Sequence, residues 1–300
     1  RGVSRREPLR IASASKMLTG YTVFKLVEAG RLSLGTRASE VLTWWGSAGG
    51  ACANVTVLQL LSQTGSLDNF RRGLGRCRAR DVQGCAAEAY NEACAGRELG
   101  SAFVYGETSF YVLGAMALTV TRLESYDAVF RQYLAGPLNL STACKFNFPS
   151  VRKADPGGGA TCTLEDYARF LRAVLAEEVV SPSLSRQAEA PQTLLQHAAM
   201  GTRVSGTWQY GLGQWRECAS AGCRGSEGVK ASSIGIFGCY PWVWRQVPQS
   251  HWGLVMREAS PATMLLSVRV GGDIQRRAVP AFEALHGRPA AAPAPGAAAP

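Results

Sequence analysis

The sequence is poor in histidine, with only three in 300 residues, and none of its nine cysteines forms a C-x-x-C pair. Because zinc sites combine closely spaced Cys and His ligands, this composition argues against a metal site. No G-x-S-x-G, H-E-x-x-H, P-loop or G-x-G-x-x-G motif occurs. We therefore expect neither a metal nor a cofactor, and these absences argue against an α/β-hydrolase nucleophile elbow, a zinc protease and a nucleotide-binding protein.

Long hydrophobic runs are also absent. The longest apolar stretch, YVLGAMALTV, has ten residues, whereas a membrane-spanning helix needs about 20. The first ten residues contain four arginines and show no signal-peptide pattern. The sequence therefore predicts a globular chain without a membrane span.

The charge balance is strongly basic, at +10, and the densest basic segment is RRGLGRCRAR at 71–80. This segment contains no aromatic residue for base stacking, and no nucleic-acid-binding motif accompanies it. A solvated loop is therefore favoured over a nucleic-acid surface. We expect a small-molecule or peptide partner and no nucleic acid, and the oligomeric state stays open.

Nine cysteines are many for a cytosolic enzyme, and they favour an oxidising compartment and hence a secreted or extracytoplasmic protein. Cys218 and Cys223 flank a short turn, and their spacing predicts a disulfide across it. Two Asn-X-Ser/Thr sequons, at Asn54 and Asn139, agree with secretion. Three further cysteines are candidates for loop disulfides and three for buried thiols: Cys77, Cys85 and Cys94, and Cys144, Cys162 and Cys239.

Hydrophobic periodicity predicts helices first and strands afterwards. Gly30 is the expected C-cap of the first helix, and Thr163 is the expected N-cap of a later amphipathic one. Short segments rich in aromatic and β-branched residues then predict antiparallel strands: TWQYGLGQWREC, KASSIGIFGCYPWVW, HWGLVMRE and ATMLLSVRV. A closing helix is expected in RRAVPAFEALHG, and the Ala/Pro-rich tail at 288–300 is expected to be disordered.

Ser13 and Lys16 stand at the start of the first predicted helix, in RIASASKMLTG. Residues three apart share a helix face, so the lysine amine is expected beside the serine hydroxyl. A lysine removed from water gives up its charge more easily and accepts the serine proton. S-x-x-K is also the nucleophile motif of β-lactamases and penicillin-binding proteins.

The motif alone favours a plainer interpretation, in which a capping serine precedes an exposed lysine. It also occurs a second time, from Ser150 to Lys153, where it runs into ADPGGG rather than into an apolar helix. We discount that second copy. The few histidines offer no better nucleophile partner, because neither His197 nor His251 has a motif around it.

Other segments, in the same order along the chain, favour the catalytic interpretation. The chain resembles the serine β-lactamase-related family, which contains class C β-lactamases, D-alanyl-D-alanine peptidases and related esterases. The resemblance covers residues 9–285 and lies in these segments: LRIASASKMLTGYTVFKLVEAGRLSLGTRASEVL, VTVLQLLSQTGSL, FVYGETSFYVLG, AGPLNLS, GGGATCTLEDYARFL, YGLGQW and SSIGIFGCYPWV.

The resemblance implies an α+β fold, in which helices flank an antiparallel sheet and a mainly helical subdomain lies beside it. The expected domain covers 1–287. Its α/β part comprises 1–34 and 205–287, and its helical part comprises 35–204. The active cleft is expected at the junction of the two parts.

The resemblance also assigns roles to individual residues. Ser13 is the implied acylated nucleophile, Lys16 its base, and Tyr105 the residue that passes the proton to the leaving group. These assignments imply acyl-transfer hydrolysis of an ester or amide, without a cofactor.

Besides Ser13, four residues are implied on the substrate side of the cleft. Ser233 and Gly235 are expected to line the open edge of the substrate. The backbone N–H groups of Ser13 and Ile236 are expected to form the oxyanion hole. Glu107 is also expected to face the substrate or the base.

The chain departs from the family pattern at three places. Gln63 stands where His is usual, and Gly106 and Glu107 follow Tyr105 where Ser and Asn are common. A carboxylate that faced Lys16 would favour the charged amine and weaken it as a base. The third motif, SIG, lacks the Lys or His that would hold a substrate carboxylate, which favours an esterase-like activity.

Two other interpretations stay open. The chain is alternatively a non-catalytic binding or scaffold protein that kept the fold, or an inactive truncated fragment. Family members begin with a helix and two strands ahead of the serine motif, and we expect those strands to be missing here. Their absence predicts an exposed, aggregation-prone sheet edge at ATMLLSVRV.

Overall fold

The structure is a computed structural model. It describes residues 4–46, 51–65, 67, 77–93, 103–192, 208–218, 229–245, 250–260 and 263–286. Three predicted features lie outside these residues, namely the tail at 288–300, most of the basic segment at 71–80, and Cys94 and Cys223.

The described residues contain nine α-helices. They are α1 Ser15–Glu28, α2 Ala38–Val41, α3 Val57–Leu61, α4 Val82–Ala93, α5 Thr108–Thr121, α6 Tyr126–Phe130, α7 Leu164–Leu175, α8 Pro182–Glu189 and α9 Met264–His286. Two 3-10 turns, at Ala12–Ala14 and Ala51–Asn54, and a π-helical turn at Arg131–Ala135 are also present.

Within the part of the chain that the structure describes, eight strands form two antiparallel sheets. They are β1 Leu9–Arg10, β2 Lys145–Phe146, β3 Ala160–Cys162, β4 Gln209–Tyr210, β5 Trp215–Glu217, β6 Lys230–Ser232, β7 Tyr240–Trp244 and β8 His251–Val255. The small sheet has the order β1-β3-β2, and the large sheet the order β4-β5-β6-β7-β8. This arrangement of helices and antiparallel strands confirms the predicted α+β fold class.

Two helices next to the large sheet follow the predicted pattern. In α1, eleven of 14 residues are buried, and the chain leaves the helix through Gly30 at a φ of +65°, which favours glycine. In α7, the Thr163 hydroxyl accepts the Asp166 N–H at 3.0 Å, and acidic residues occupy the first turn. Both predicted caps are confirmed.

The large sheet is covered on both faces. Successive residues of a strand point to opposite faces. On β7, Tyr240 and Trp242 pack with Met264 of α9, whereas Val243 belongs to the main core with Phe170 of α7. The sheet therefore lies between α7 and α9, as a flanked antiparallel sheet requires.

The prediction of a strand at ATMLLSVRV is wrong, because Met264 begins the 23-residue helix α9. The side chains that contact the sheet follow helical spacing. Met264 is buried, the Ser267 hydroxyl donates to the Gly238 carbonyl at 3.1 Å, and Gly271 lies against the Tyr240 ring. A short apolar run cannot by itself distinguish a strand from a helix. The predicted exposed sheet edge at this segment is therefore also wrong, because the segment is part of a helix.

Two disulfides lie within the described residues, Cys77–Cys85 and Cys144–Cys162. The buried-thiol alternative is therefore wrong for Cys144 and Cys162, whereas Cys239 is a free buried thiol. Sequence separation concealed the Cys144–Cys162 pair, because β2 and β3 meet only in the folded sheet. Cys218 is also disulfide-bonded, and its predicted partner Cys223 lies outside the described residues.

No helix in the described part of the chain is long and apolar enough to cross a membrane. The same residues contain no cluster of three or more His, Cys, Asp or Glu side chains that could bind a metal ion.

Candidate active site

Ser13 lies in the 3-10 turn between β1 and α1. Strand β1 pairs with β3, and the Ile11 N–H donates to the Ala160 carbonyl at 3.1 Å. The Ser15 hydroxyl donates to the Ala12 carbonyl at 2.6 Å and accepts the Ala160 N–H at 3.0 Å. Ala12 has a φ of +47°, which is unusual for a residue with a side chain. The small sheet thus holds Ser13 in a tight turn at the mouth of α1.

Lys16 is almost completely buried in the first turn of α1. Its Nζ donates to the Gly157 carbonyl at 2.9 Å and approaches the Ser13 hydroxyl at 3.4 Å. The rings of Tyr105 and Phe110 lie on its other sides, with their centres 4.9 and 5.2 Å from Nζ. The amine is therefore shielded from water and directed at Ser13, which suits proton transfer.

Gln63 holds the segment that carries Tyr105. The backbone carbonyl of Gln63 accepts the Val104 N–H at 3.0 Å, and its side-chain oxygen accepts the Gly106 N–H at 2.5 Å. The Tyr105 ring also stacks on Trp215, at 5.0 Å between ring centres and 25° between planes. Gln63 thus has a positioning role that we did not predict, although its departure from the family pattern marked the position.

The third motif follows β6 and closes the cleft from the large-sheet side. The Ser233 hydroxyl donates to the Ser13 carbonyl at 2.9 Å, so this residue supports the turn that carries Ser13. A Cβ on Gly235 would lie 1.9 Å from the Ile11 carbonyl oxygen. Among the described residues, no hydrogen bond is found for the Ile236 N–H. Ile236 also lines the cleft at Ser13.

Gly235→Ala is expected to lower stability and slow any acylation of Ser13, because the new methyl group must displace the Ile11 backbone beside the nucleophile. Overpacking of this kind costs about 1–3 kcal/mol. Thermal melting and the rate of probe labelling measure the two effects. The matched control is Gly272→Ala on α9, where the nearest atom is an Arg276 side-chain nitrogen at 3.5 Å. An unchanged melting temperature for Gly235→Ala would show that the turn relaxes freely.

Two buried carboxyl groups share the interior of the site with Lys16. Burial raises the pKa of Glu107, and the Lys16 charge partly opposes that rise. Burial also raises the pKa of Asp155 to about 7; the Glu107 charge adds to this, whereas Lys16 and the Gly157 and Gly158 amides oppose it. The site thus combines one amine with two carboxyl groups, which lie on segments far apart in sequence.

A small cleft of about 50 Å³ opens at Ser13. Its lining residues come from the nucleophile turn, from the segment between β2 and β3, and from the third motif: Ala12, Ser13, Phe148, Pro149, Asp155, Gly158, Ile236 and Phe237.

The structure brings together most of the residues that the sequence singled out. Lys16 lies next to both Ser13 and Tyr105, Ser233 and Gly235 contact the turn that carries Ser13, and Ile236 lines the cleft.

Besides the role of Gln63, sequence reasoning missed Asp155 and Gly157 at this site. The run ADPGGG carried the only available signal for them, because consecutive glycines permit a close backbone approach.

Comparison with protein families finds one matching model, described as Beta-lactamase, over residues 1–256. Penicillin-binding protein 4 of Amycolatopsis lactamdurans is 29% identical over 237 residues, which cover 68% of this chain. The match covers 59% of that relative's length.

Solved structures share the fold at lower sequence identity. A putative beta-lactamase from Bacteroides dorei superposes with a TM-score of 0.72 at 21% identity, covering 92% of this chain and 88% of that chain. EstCE1, a hydrolase with promiscuous acyltransferase activity, superposes with a TM-score of 0.71 at 18% identity, covering 90% and 85%. At these identities, the likeness shows the common fold.

Proposed function

The chain belongs to the beta-lactamase family, and on that basis we propose that it is a serine hydrolase that forms an acyl-enzyme on Ser13. The single observation that carries this proposal is the buried contact between Lys16 Nζ and the Ser13 hydroxyl at 3.4 Å. An exposed lysine would be solvated by water and would have no reason to approach the serine. Lys16 is buried, and its hydrogen bond to the Gly157 carbonyl directs the amine at Ser13.

For the first half-reaction we propose the following sequence of steps. Ser13 Oγ bonds to the carbonyl carbon of the substrate while its proton passes to Lys16. The backbone N–H groups of Ser13 and Ile236 receive the oxyanion. As the bond from the carbonyl carbon to the leaving group breaks, Tyr105 gives that group its proton and is reprotonated by Lys16.

The substrate class that we propose is a small ester, with β-lactams and peptides as weaker candidates. The third motif places Ile234 between Ser233 and Gly235, so it supplies no cation for a substrate carboxylate. The cleft walls next to Ser13 are largely apolar, including Phe148, Pro149 and Phe237. A neutral acyl group suits such walls better than a carboxylate does.

Acylation by a fluorophosphonate probe, followed by mass spectrometry of the peptides, tests this function. An adduct on Ser13, together with turnover of p-nitrophenyl esters, is the expected result. The rival function is that of a non-catalytic binding protein, which the Glu107 carboxylate near Lys16 favours. A folded chain that no probe in a broad panel labels would establish the rival.

Tyr105→Phe is expected to lower kcat roughly 10²-fold with little change in KM, because the hydroxyl acts when the leaving group departs. The phenyl ring retains the stacking on Trp215. Steady-state kinetics on a chromogenic ester separates kcat from KM. Tyr133→Phe, in the π-helical turn away from the cleft, is the control. A rise in KM alone would mean that Tyr105 only binds the substrate.

We also propose an extracytoplasmic location, which the two disulfides of the described residues support. Non-reducing peptide mapping of the protein purified from its natural source tests this proposal. Reduced cysteines at these four positions would contradict it.

A further inference from the structure

Asp155 has a position in the cleft that the first half-reaction does not use. The side chain is almost completely buried, at 5% exposure, yet it lines the same cleft as Ser13. Its Oδ1 accepts the Gly157 N–H at 2.7 Å. The carboxyl group is therefore held by its own turn at the wall next to the nucleophile.

The same turn links Asp155 to the amine of the site. A Cβ on Gly157 would stand 3.3 Å from Asp155 Oδ1 and 3.4 Å from Lys16 Nζ, so both atoms face one small gap. Lys16 Nζ in turn lies 3.4 Å from Ser13 Oγ. Lys16 Nζ therefore has Ser13 Oγ beside it and Asp155 Oδ1 near it, on the far side of Gly157.

The cleft is large enough for the second substrate of a hydrolysis, which is water. A water molecule needs about 10–15 Å³ of free volume, and the cleft has about 50 Å³. Phe148, Pro149 and Phe237 supply apolar walls, whereas Asp155 supplies an acidic one. A water molecule in this cleft has the Asp155 carboxylate as its natural acceptor and an acyl group on Ser13 as its neighbour.

We propose that Asp155 is the general base of the second half-reaction, in which water hydrolyses the acyl group on Ser13; this inference rests on the proposed function. Asp155 takes one proton from the water as the water oxygen bonds to the acyl carbon. The ester bond to Ser13 Oγ breaks and the carboxylic acid leaves. Oγ regains a proton through Lys16, to which Asp155 returns the proton that it took.

The electrostatic setting supports this role. Burial, with the Glu107 charge adding to it, raises the pKa of Asp155 to about 7, and a general base works best when its pKa is near the working pH. Three titratable groups face Asp155 among the described residues: Glu107 ahead of α5, Lys16 on α1 and Tyr111 on α5. Because the base must be ionised, we expect deacylation to accelerate as the pH rises through about 7.

The test is Asp155→Asn with a chromogenic ester, followed from the pre-steady state onward. The amide oxygen of Asn still accepts the Gly157 N–H, so the turn is kept while the base is lost. We expect a normal burst, deacylation slowed roughly 10²-fold or more, and acyl-Ser13 that accumulates in the mass spectrum. The control is Asp127→Asn, because Asp127 accepts the Phe146 N–H at 2.7 Å outside the cleft; it should turn over like the unmodified chain.

The other outcomes distinguish a failure of the role of Asp155 from a failure of the proposed function. If the acyl-enzyme of Asp155→Asn decays as fast as that of the unmodified chain, the role of Asp155 is overturned and the proposed function stands. The same holds if Asp155→Asn slows only the burst and not the deacylation. No adduct on Ser13 of the unmodified chain overturns both. If Asp155→Asn does not fold, the pH dependence of deacylation in the unmodified chain is the deciding measurement. A deacylation rate that is constant from about pH 5.5 to about pH 8.5 overturns the role of Asp155.

Discussion

Ser13→Ala is expected to abolish probe labelling and to lower ester turnover by on the order of 10⁴-fold or more, because removal of the nucleophile leaves only binding and the oxyanion hole. Among the described residues, no other serine hydroxyl has a lysine amine beside it, as Ser13 has Lys16 Nζ. The variant removes one oxygen from a buried side chain and leaves the Ser13 carbonyl in its contact with Ser233. The fold should therefore persist.

The second S-x-x-K supplies the matched control for this prediction. Ser150 is exposed, and Lys153 donates to the Cys77 carbonyl instead of approaching Ser150 with its amine. Ser150→Ala should be labelled by the probe, and should hydrolyse the ester, at the same rates as the unmodified chain. Labelling that survives Ser13→Ala, or disappears with Ser150→Ala, would assign the nucleophile elsewhere. Intact-mass spectrometry and a thermal melt of each variant complete the measurement.

Lys16→Met is expected to slow acylation of Ser13 by roughly 10²–10⁴-fold, the usual contribution of a positioned general base. Met matches the length and volume of the buried side chain and removes only the amine. The same change leaves the Gly157 carbonyl without its donor, which costs about 1–3 kcal/mol of stability. Stopped-flow labelling and thermal melting measure the two effects separately.

Lys153→Met is the control for the loss of a lysine. Lys153 is half-buried and contacts a backbone carbonyl, as Lys16 does, but it lies outside the cleft. We expect this control to acylate at the normal rate, whatever it does to the melting temperature. Equal acylation by Lys16→Met and the unmodified chain would show that another group takes the Ser13 proton.

The sequence was sufficient wherever the determining interactions are local. Thr163 caps α7 and Gly30 ends α1, because each needs only the backbone within a few residues of itself. The three-residue spacing of Ser13 and Lys16 predicted in the same way that their side chains meet, although Ser13 lies in the 3-10 turn ahead of α1 and only Lys16 lies in α1. The family pattern then extended this local information to the order of segments along the chain.

Local information failed where two structures fit the same residues. The run from Met264 to Val268 is apolar except for Ser267, and such a run suits a strand as well as a helix. In the folded chain, Ser267 donates to the Gly238 carbonyl and Met264 packs with Trp242 on β7. Contacts with the large sheet therefore stabilise the helical conformation of this run. Gly238 and Trp242, which make these contacts, are both more than about 20 residues away in sequence.

The sequence by itself thus determined the fold class and singled out Ser13 and Lys16 as neighbours, because these depend on short spacings and on the order of recognisable segments. Only the tertiary structure decided what surrounds them: Gln63 beneath the Tyr105 segment, Cys144 bonded to Cys162, and Asp155 in the wall of the cleft. Asp155 is 142 positions beyond Ser13 in the chain. Burial, with the Glu107 charge adding to it, raises the pKa of its carboxyl. Burial is a property of the folded chain and cannot be read from the spacing of residues along the sequence.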